Sequence, residues 1–133
     1  MATPTKINYD ATDVFQKDLK RLLKKFQTLE DDLETAKRNA IELYHLKNIN
    51  NRSVFPIPDF CNEAILICKV KKFACKALKG RGVMSGIRVI YAYHITASKV
   101  EFIEIYFKGE KENEDRERIK EYLKNQNLTH RPI

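Results

Sequence analysis

Apolar residues first recur in helical steps. Phe15, Leu19, Leu22, Leu23 and Phe26 stand three or four apart, which lines one side of a helix. Lys17, Lys20, Arg21, Lys24 and Lys25 fill the remaining positions. A second helix is predicted from about Thr28, with Thr28 as N-cap and Asp31 three places on as a variant capping box. Glu30, Asp31 and Asp32 suit the positive end of its dipole. Leu33, Ala36, Ala40, Leu43 and Tyr44 form its inner stripe, and the short break before it favours an αα-hairpin. A short strand at Lys6 to Tyr9 precedes both helices.

The stretch from Asn48 to Asp59 carries Asn48, Asn50, Asn51, Pro56 and Pro58, and reads as a loop. From Ala64 the period becomes that of strands. Three are predicted, at about Ala64 to Ala74, Ile87 to Thr96 and Val100 to Phe107. A glycine-bearing connection, Gly80 to Gly86, joins the first two, and Ala97-Ser98-Lys99 closes a hairpin between the others. A charged helix with Ile119, Tyr122 and Leu123 on one stripe is expected from Asn113 to about Asn125, then a flexible tail from Asn127 to Ile133. The implied fold is α+β in one domain, 1–133, with an antiparallel sheet packed on an αα-hairpin and a C-terminal helix.

Strand parity assigns faces. Val89, Tyr91 and Tyr93 fall on one side, with Ile103, Ile105 and Phe107 as their core partners. Pairing Thr96 with Val100 sets Ala92 against Glu104, Ile90 against Tyr106 and Arg88 against Lys108. If Cys68 and Val70 point at the helices, Lys69 and Lys71 join Arg88 on the open face. Lys72 then has to leave the core by a bulge, a bend or snorkelling.

Charge gives that face a meaning. The chain has 133 residues, 32% of them charged, a net charge of +7 and a pI near 9.3. An excess of cations favours polyanionic partners through counterion release, without choosing among RNA, DNA, acidic proteins or anionic membranes. Lys69, Lys71, Arg88 and Lys108 on one face repel one another unless a multiply charged anion sits among them, and phosphodiesters fit. Breaking RNA requires activating a 2′-hydroxyl, stabilising a phosphorane and protonating the 5′-oxygen that leaves. Arginine and lysine serve the second need, and a lysine of depressed pKa among other cations serves proton transfer. Tyr106 and His94 are further candidates on this face, and Tyr106 can stack on a base. The same cations would also suit a plain solvated surface. The charged runs Lys20 to Lys25 and Glu110 to Arg118 read as solvated helix faces.

Other chemistry is thinly represented. Cys61, Cys68 and Cys75 lie seven apart, too widely for a zinc pattern, and parity puts Cys68 and Cys75 on opposite faces of a regular strand. They read as buried structural thiols. His45 reads as a helix-surface residue and His130 as part of the tail. No cofactor and no metal are expected. An odd cysteine count, no apolar leader and no apolar run near the roughly 18 residues of a membrane span lead to a cytoplasmic expectation.

Three segments carry a family resemblance. Cys68-Lys69-Val70-Lys71-Lys72-Phe73 to Gly80 leads into Gly86-Ile87-Arg88-Val89-Ile90-Tyr91, then Ile103-Glu104-Ile105-Tyr106-Phe107-Lys108. With Glu114-Asp115-Arg116 to Leu123 behind them, their order resembles the RelE/ParE superfamily of type II toxins, in its RelE-like and HigB-like branch. That resemblance implies a β-α-α-β-β-β core, ribosome-dependent endoribonuclease activity on mRNA, and a cognate antitoxin protein as partner. It matches Lys69 and Lys71 to paired strand lysines and Arg88 to a phosphate-binding arginine. Lys108 or Lys111 matches the basic residue after the last strand. Some members carry a functional tyrosine in the C-terminal segment; here Asn113 to Arg118 has none and Tyr122 is offset. The superfamily also contains DNA gyrase inhibitors, so a gyrase-binding toxin and a non-catalytic binding module stand as alternatives.

Overall fold

The computed structural model describes residues 5–129. Strand β1 (Asn8–Ala11) leads into α1 (Asp13–Leu23), α2 (Leu29–Ala36), a π-helical turn (Lys37–Ile41) and α3 (Glu42–Leu46). Then come β2 (Val54–Pro56), a 3₁₀ turn (Pro58–Phe60), β3 (Ile65–Val70), β4 (Ile87–His94), β5 (Lys99–Phe107) and α4 (Arg116–Thr129). This is the expected α+β arrangement, with one extra strand. The sheet order is β1-β5-β4-β3-β2; β1 runs parallel to β5 and the other neighbours are antiparallel.

Several boundaries differ from expectation for local reasons. The first strand lies two residues later, where Asn8 to Ala11 pair with Lys99 to Phe102. Thr12 caps α1 through its hydroxyl, which accepts from the Phe15 amide at 3.1 Å. Thr28 stands at the N-cap of α2, yet forms no capping box. Its hydroxyl donates to Asp32 at 2.6 Å and accepts from the Ala77 amide at 2.9 Å. The supposed loop around Pro56 contains β2, an edge strand, the position where a proline is tolerated in a sheet. The predicted tail is still helical at Asn127 to Thr129, and the rest of it lies outside the described residues.

Two apolar layers sandwich the sheet. Phe15, Leu22, Leu29, Leu33 and Ile41 from the helices, with Phe26 between α1 and α2, pack against Cys68, Val70, Val89, Tyr91 and Ile105. On the other side Ile119 and Tyr122 of α4, with Phe60, cover Ile65, Ile67, Ile90, Ile103 and Tyr106. The second face is therefore largely covered by α4 rather than open.

The β4–β5 register corrects the expected one. A four-residue turn, Ile95 to Ser98, closes the hairpin, with Ser98 at φ 48°. Arg88 faces Tyr106, Ile90 faces Glu104 and Ala92 faces Glu101. Partners step from Ile90 and Glu104 to Tyr91 and Phe102, which leaves Ile103 as the extra residue of a bulge. The bulge turns Ile103 away from Ile105, so Ile103 joins the α4 layer and Phe102 replaces it against the helices. Regular alternation had put Ile103 with Ile105 and Phe107.

Three further expectations are revised, the first two because β3 ends at Val70. Lys72 is exposed and needs no snorkelling. Phe73 and Cys75, past the strand end, turn into the helix-side core, so Cys68 and Cys75 share one layer. His45 is not a free surface side chain. Its ring stacks on Tyr93 with centroids 4.0 Å apart, and Nε2 lies 2.7 Å from the Tyr91 hydroxyl. Burial lowers its pKa to about 4.

Candidate active site

The predicted basic residues divide into two groups. Lys71, Arg88 and Lys108 gather where β3 and β5 end and β4 begins. The last β3–β4 pair is Val70 with Val89, so the same register carried one pair past the end of β3 brings Lys71 towards Arg88. Arg88 faces Tyr106 on β5, and the Lys108 amide donates to the Gly86 carbonyl at 2.9 Å just beyond. Arg88 and Lys108 are thus diagonal neighbours rather than direct partners. Lys71 and Lys108 are exposed and Arg88 half-buried. Among the described residues none of the three makes an ion pair. The Lys71 ammonium lies 4.5 Å from the centre of the Phe55 ring on β2, a cation–π contact that aligns the lysine along the edge strand.

Lys69 sits deeper and is already engaged. Its Nζ is 2.7 Å from Glu114 Oε1, with the two side chains only 13% and 11% exposed. Burial is the largest single influence and pulls the lysine's pKa down, but Glu114 and Tyr106 together outweigh it and the net shift is upward. Lys69 therefore remains an ammonium at neutral pH. This corrects the expectation that crowding by cations would make a lysine here a proton-transfer group: a carboxylate reached it first.

Tyr106 forms the floor, 2% exposed, with the ammoniums of Lys69 and Lys111 at 5.7 Å and 5.8 Å from its ring centre. Its hydroxyl is buried and makes no hydrogen bond of good geometry. Burial pushes its pKa up, with Lys69 pulling the other way. So deep a ring is poorly placed for base stacking while α4 stays seated. Lys111 pairs with Glu104, a carboxylate only 2% exposed, whose other oxygen accepts the Asp115 amide at 2.8 Å. His94 lies at the far end of β4, six residues from Arg88, on the order of 20 Å along the strand. It hydrogen-bonds Tyr122 at 2.7 Å, and the Tyr122 hydroxyl donates to Glu101 at 2.7 Å. The structure thus separates His94 from the cations.

Sequence reasoning missed the acidic side of this site. Glu110 to Arg118 is not uniformly solvated: Glu114, Asp115 and Arg118 are half-buried. Asp115 caps α4 by accepting from the Arg118 amide at 3.1 Å. Arg118 reaches Asp18 of α1 at 2.6 Å and the Ile103 carbonyl at 3.0 Å. Arg116 meets Asp59 at 2.8 Å and Glu114 at 3.6 Å. The available signal was the narrow apolar stripe of α4: a helix that buries Ile119 and Tyr122 brings its flanking charges onto the sheet.

No family model and no curated protein matches this chain. A solved structure described as the archaeal RelE-RelB complex from Pyrococcus horikoshii OT3 is similar to it at 10% identity and a TM-score of 0.48. The alignment covers 77% of this chain and 96% of that one.

Proposed function

We propose that this protein is the toxin of a type II toxin-antitoxin pair and a ribosome-dependent mRNA endoribonuclease, neutralised by a cognate antitoxin. The observation that carries this is the group Lys71, Arg88 and Lys108, free of carboxylate partners among the described residues, beside Lys69 and Tyr106. It occurs on the strands whose residues resemble that toxin branch. A phosphodiester laid across this end would meet a bidentate guanidinium flanked by two ammoniums. Such donors stabilise a pentavalent phosphorane more than the starting diester, because charge accumulates on its equatorial oxygens. The 2′-hydroxyl gives up its proton to water as its oxygen attacks phosphorus, the bond to the 5′-oxygen breaks and that oxygen takes up a proton from water, and the products are a 2′,3′-cyclic phosphate and a 5′-hydroxyl. Lys69, held charged, acts electrostatically.

The test is cleavage of a short message on programmed ribosomes, with Arg88→Ala beside wild type. Loss of one phosphate-clamping donor should slow cleavage by about a hundredfold or more. Equal cutting by both proteins would refute the assignment.

A further inference from the structure

A carboxylate of the chain itself occupies the inner part of the cationic face. Glu114 is held by Lys69 at 2.7 Å and by Arg116 at 3.6 Å, near the buried Tyr106 hydroxyl, which makes no hydrogen bond of good geometry and feels both Lys69 and Glu114. It lies in the turn between β5 and α4. Two cations and a buried hydroxyl around a single carboxylate make an oxyanion site. A phosphate oxygen has the same needs as a carboxylate oxygen, and a lysine–arginine pair serves either.

We infer that Glu114 is a built-in competitor, and that the place it fills beside Lys69, Arg116 and Tyr106 takes a phosphate oxyanion of a nucleic-acid backbone when the turn moves aside. The inference rests on reading this face as a phosphodiester site. Lys71, Arg88 and Lys108 receive one phosphate at the open end of the sheet, and the inner site receives a neighbouring phosphate of the same strand. Successive phosphates lie roughly 6–7 Å apart in an extended strand, on the order of two residues along a β-strand. Lys69 and Lys71 have that spacing. The carboxylate keeps Lys69 charged and in place while no RNA is bound, and it penalises ligands too short or too weakly charged to displace it.

The experiment is fluorescence anisotropy with a short, non-cleavable 2′-O-methyl oligoribonucleotide at fixed ionic strength. Glu114→Gln keeps the shape and a hydrogen-bond acceptor for Lys69 but removes the competing charge. It should tighten binding about fivefold. Glu112→Gln removes the same formal charge from an exposed position two residues away and should tighten it far less. The gain should vanish when Glu114→Gln is combined with Lys69→Ala. Amide exchange of Ile119 and Tyr122 reports whether α4 stays seated. Equal gains from Glu112→Gln and Glu114→Gln, no gain from Glu114→Gln, or a gain accompanied by lost protection across α4 would each overturn the inference. Binding is read without cleavage. Absent nuclease activity with the Glu114 effect intact strikes only the proposed function.

Discussion

Lowering the pH should destabilise this fold through one identifiable side chain. His45 lies over Tyr93 and against the Tyr91 hydroxyl, in the layer between helices and sheet, and burial takes its pKa from 6.5 down to about 4. The unfolded chain takes up the His45 proton near pH 6.5, whereas the folded chain resists until about pH 4. Between those values the unfolded state binds more protons, so stability rises with pH across the window and is lost as pH falls. A displacement of that size corresponds to about 3 kcal/mol, and the partly open ring reduces it to about 2–3 kcal/mol. That is a large fraction of the 5–15 kcal/mol typical of a domain. Urea unfolding from pH 7.5 to 4 would measure it in wild type and in His45→Gln, which cannot titrate. Carboxylates contribute to both proteins, so the difference between the two curves isolates the histidine. The wild-type curve should fall more steeply below pH 6.5, and parallel curves would refute the reasoning.

Further expectations concern the latches of the structure. Glu104→Ala strands the Asp115 amide and the Lys111 ammonium beside a vacated carboxylate site, and should lower stability by about 2–4 kcal/mol in chemical denaturation. Asp32, 2% exposed, accepts the Lys76 amide and the Thr28 hydroxyl; Asp32→Ala should cost about 2–3 kcal/mol and speed amide exchange at Lys76 and Ala77. Arg118→Ala breaks the link from α4 to Asp18 and should raise amide exchange in α4 before the sheet is affected.

The local signals in the chain were strong where burial follows a fixed period. The stripe from Phe15 to Phe26, the alternation of Val89, Tyr91 and Tyr93, and the separation of Cys68 and Val70 from Lys69 and Lys71 all follow from helical or strand geometry acting on apolar residues. They were enough to assemble the layers and to turn Lys69 and Arg88 to the face away from the helical hairpin, but not to set Arg88 against Tyr106. What parity cannot carry is a change of parity. The extra residue at Ile103 exchanged the faces of half of β5, and whether a strand bulges depends on its partners, not on its own sequence.

The charged segment before α4 shows the same limit in electrostatic form. In sequence Glu110 to Arg118 is a run of mixed charge, which in isolation is best solvated. In the fold Ile119 and Tyr122 dock on the sheet, and Glu114 and Arg118 are carried onto cations and carboxylates 45 and 100 residues away. Sequence alone determined that Lys69 and Arg88 point to the sheet face opposite the helical hairpin, because strand alternation is a local property. Only the tertiary structure decided that Lys69 faces a carboxylate and stays charged, because pairing energy and desolvation depend on which distant group arrives beside it.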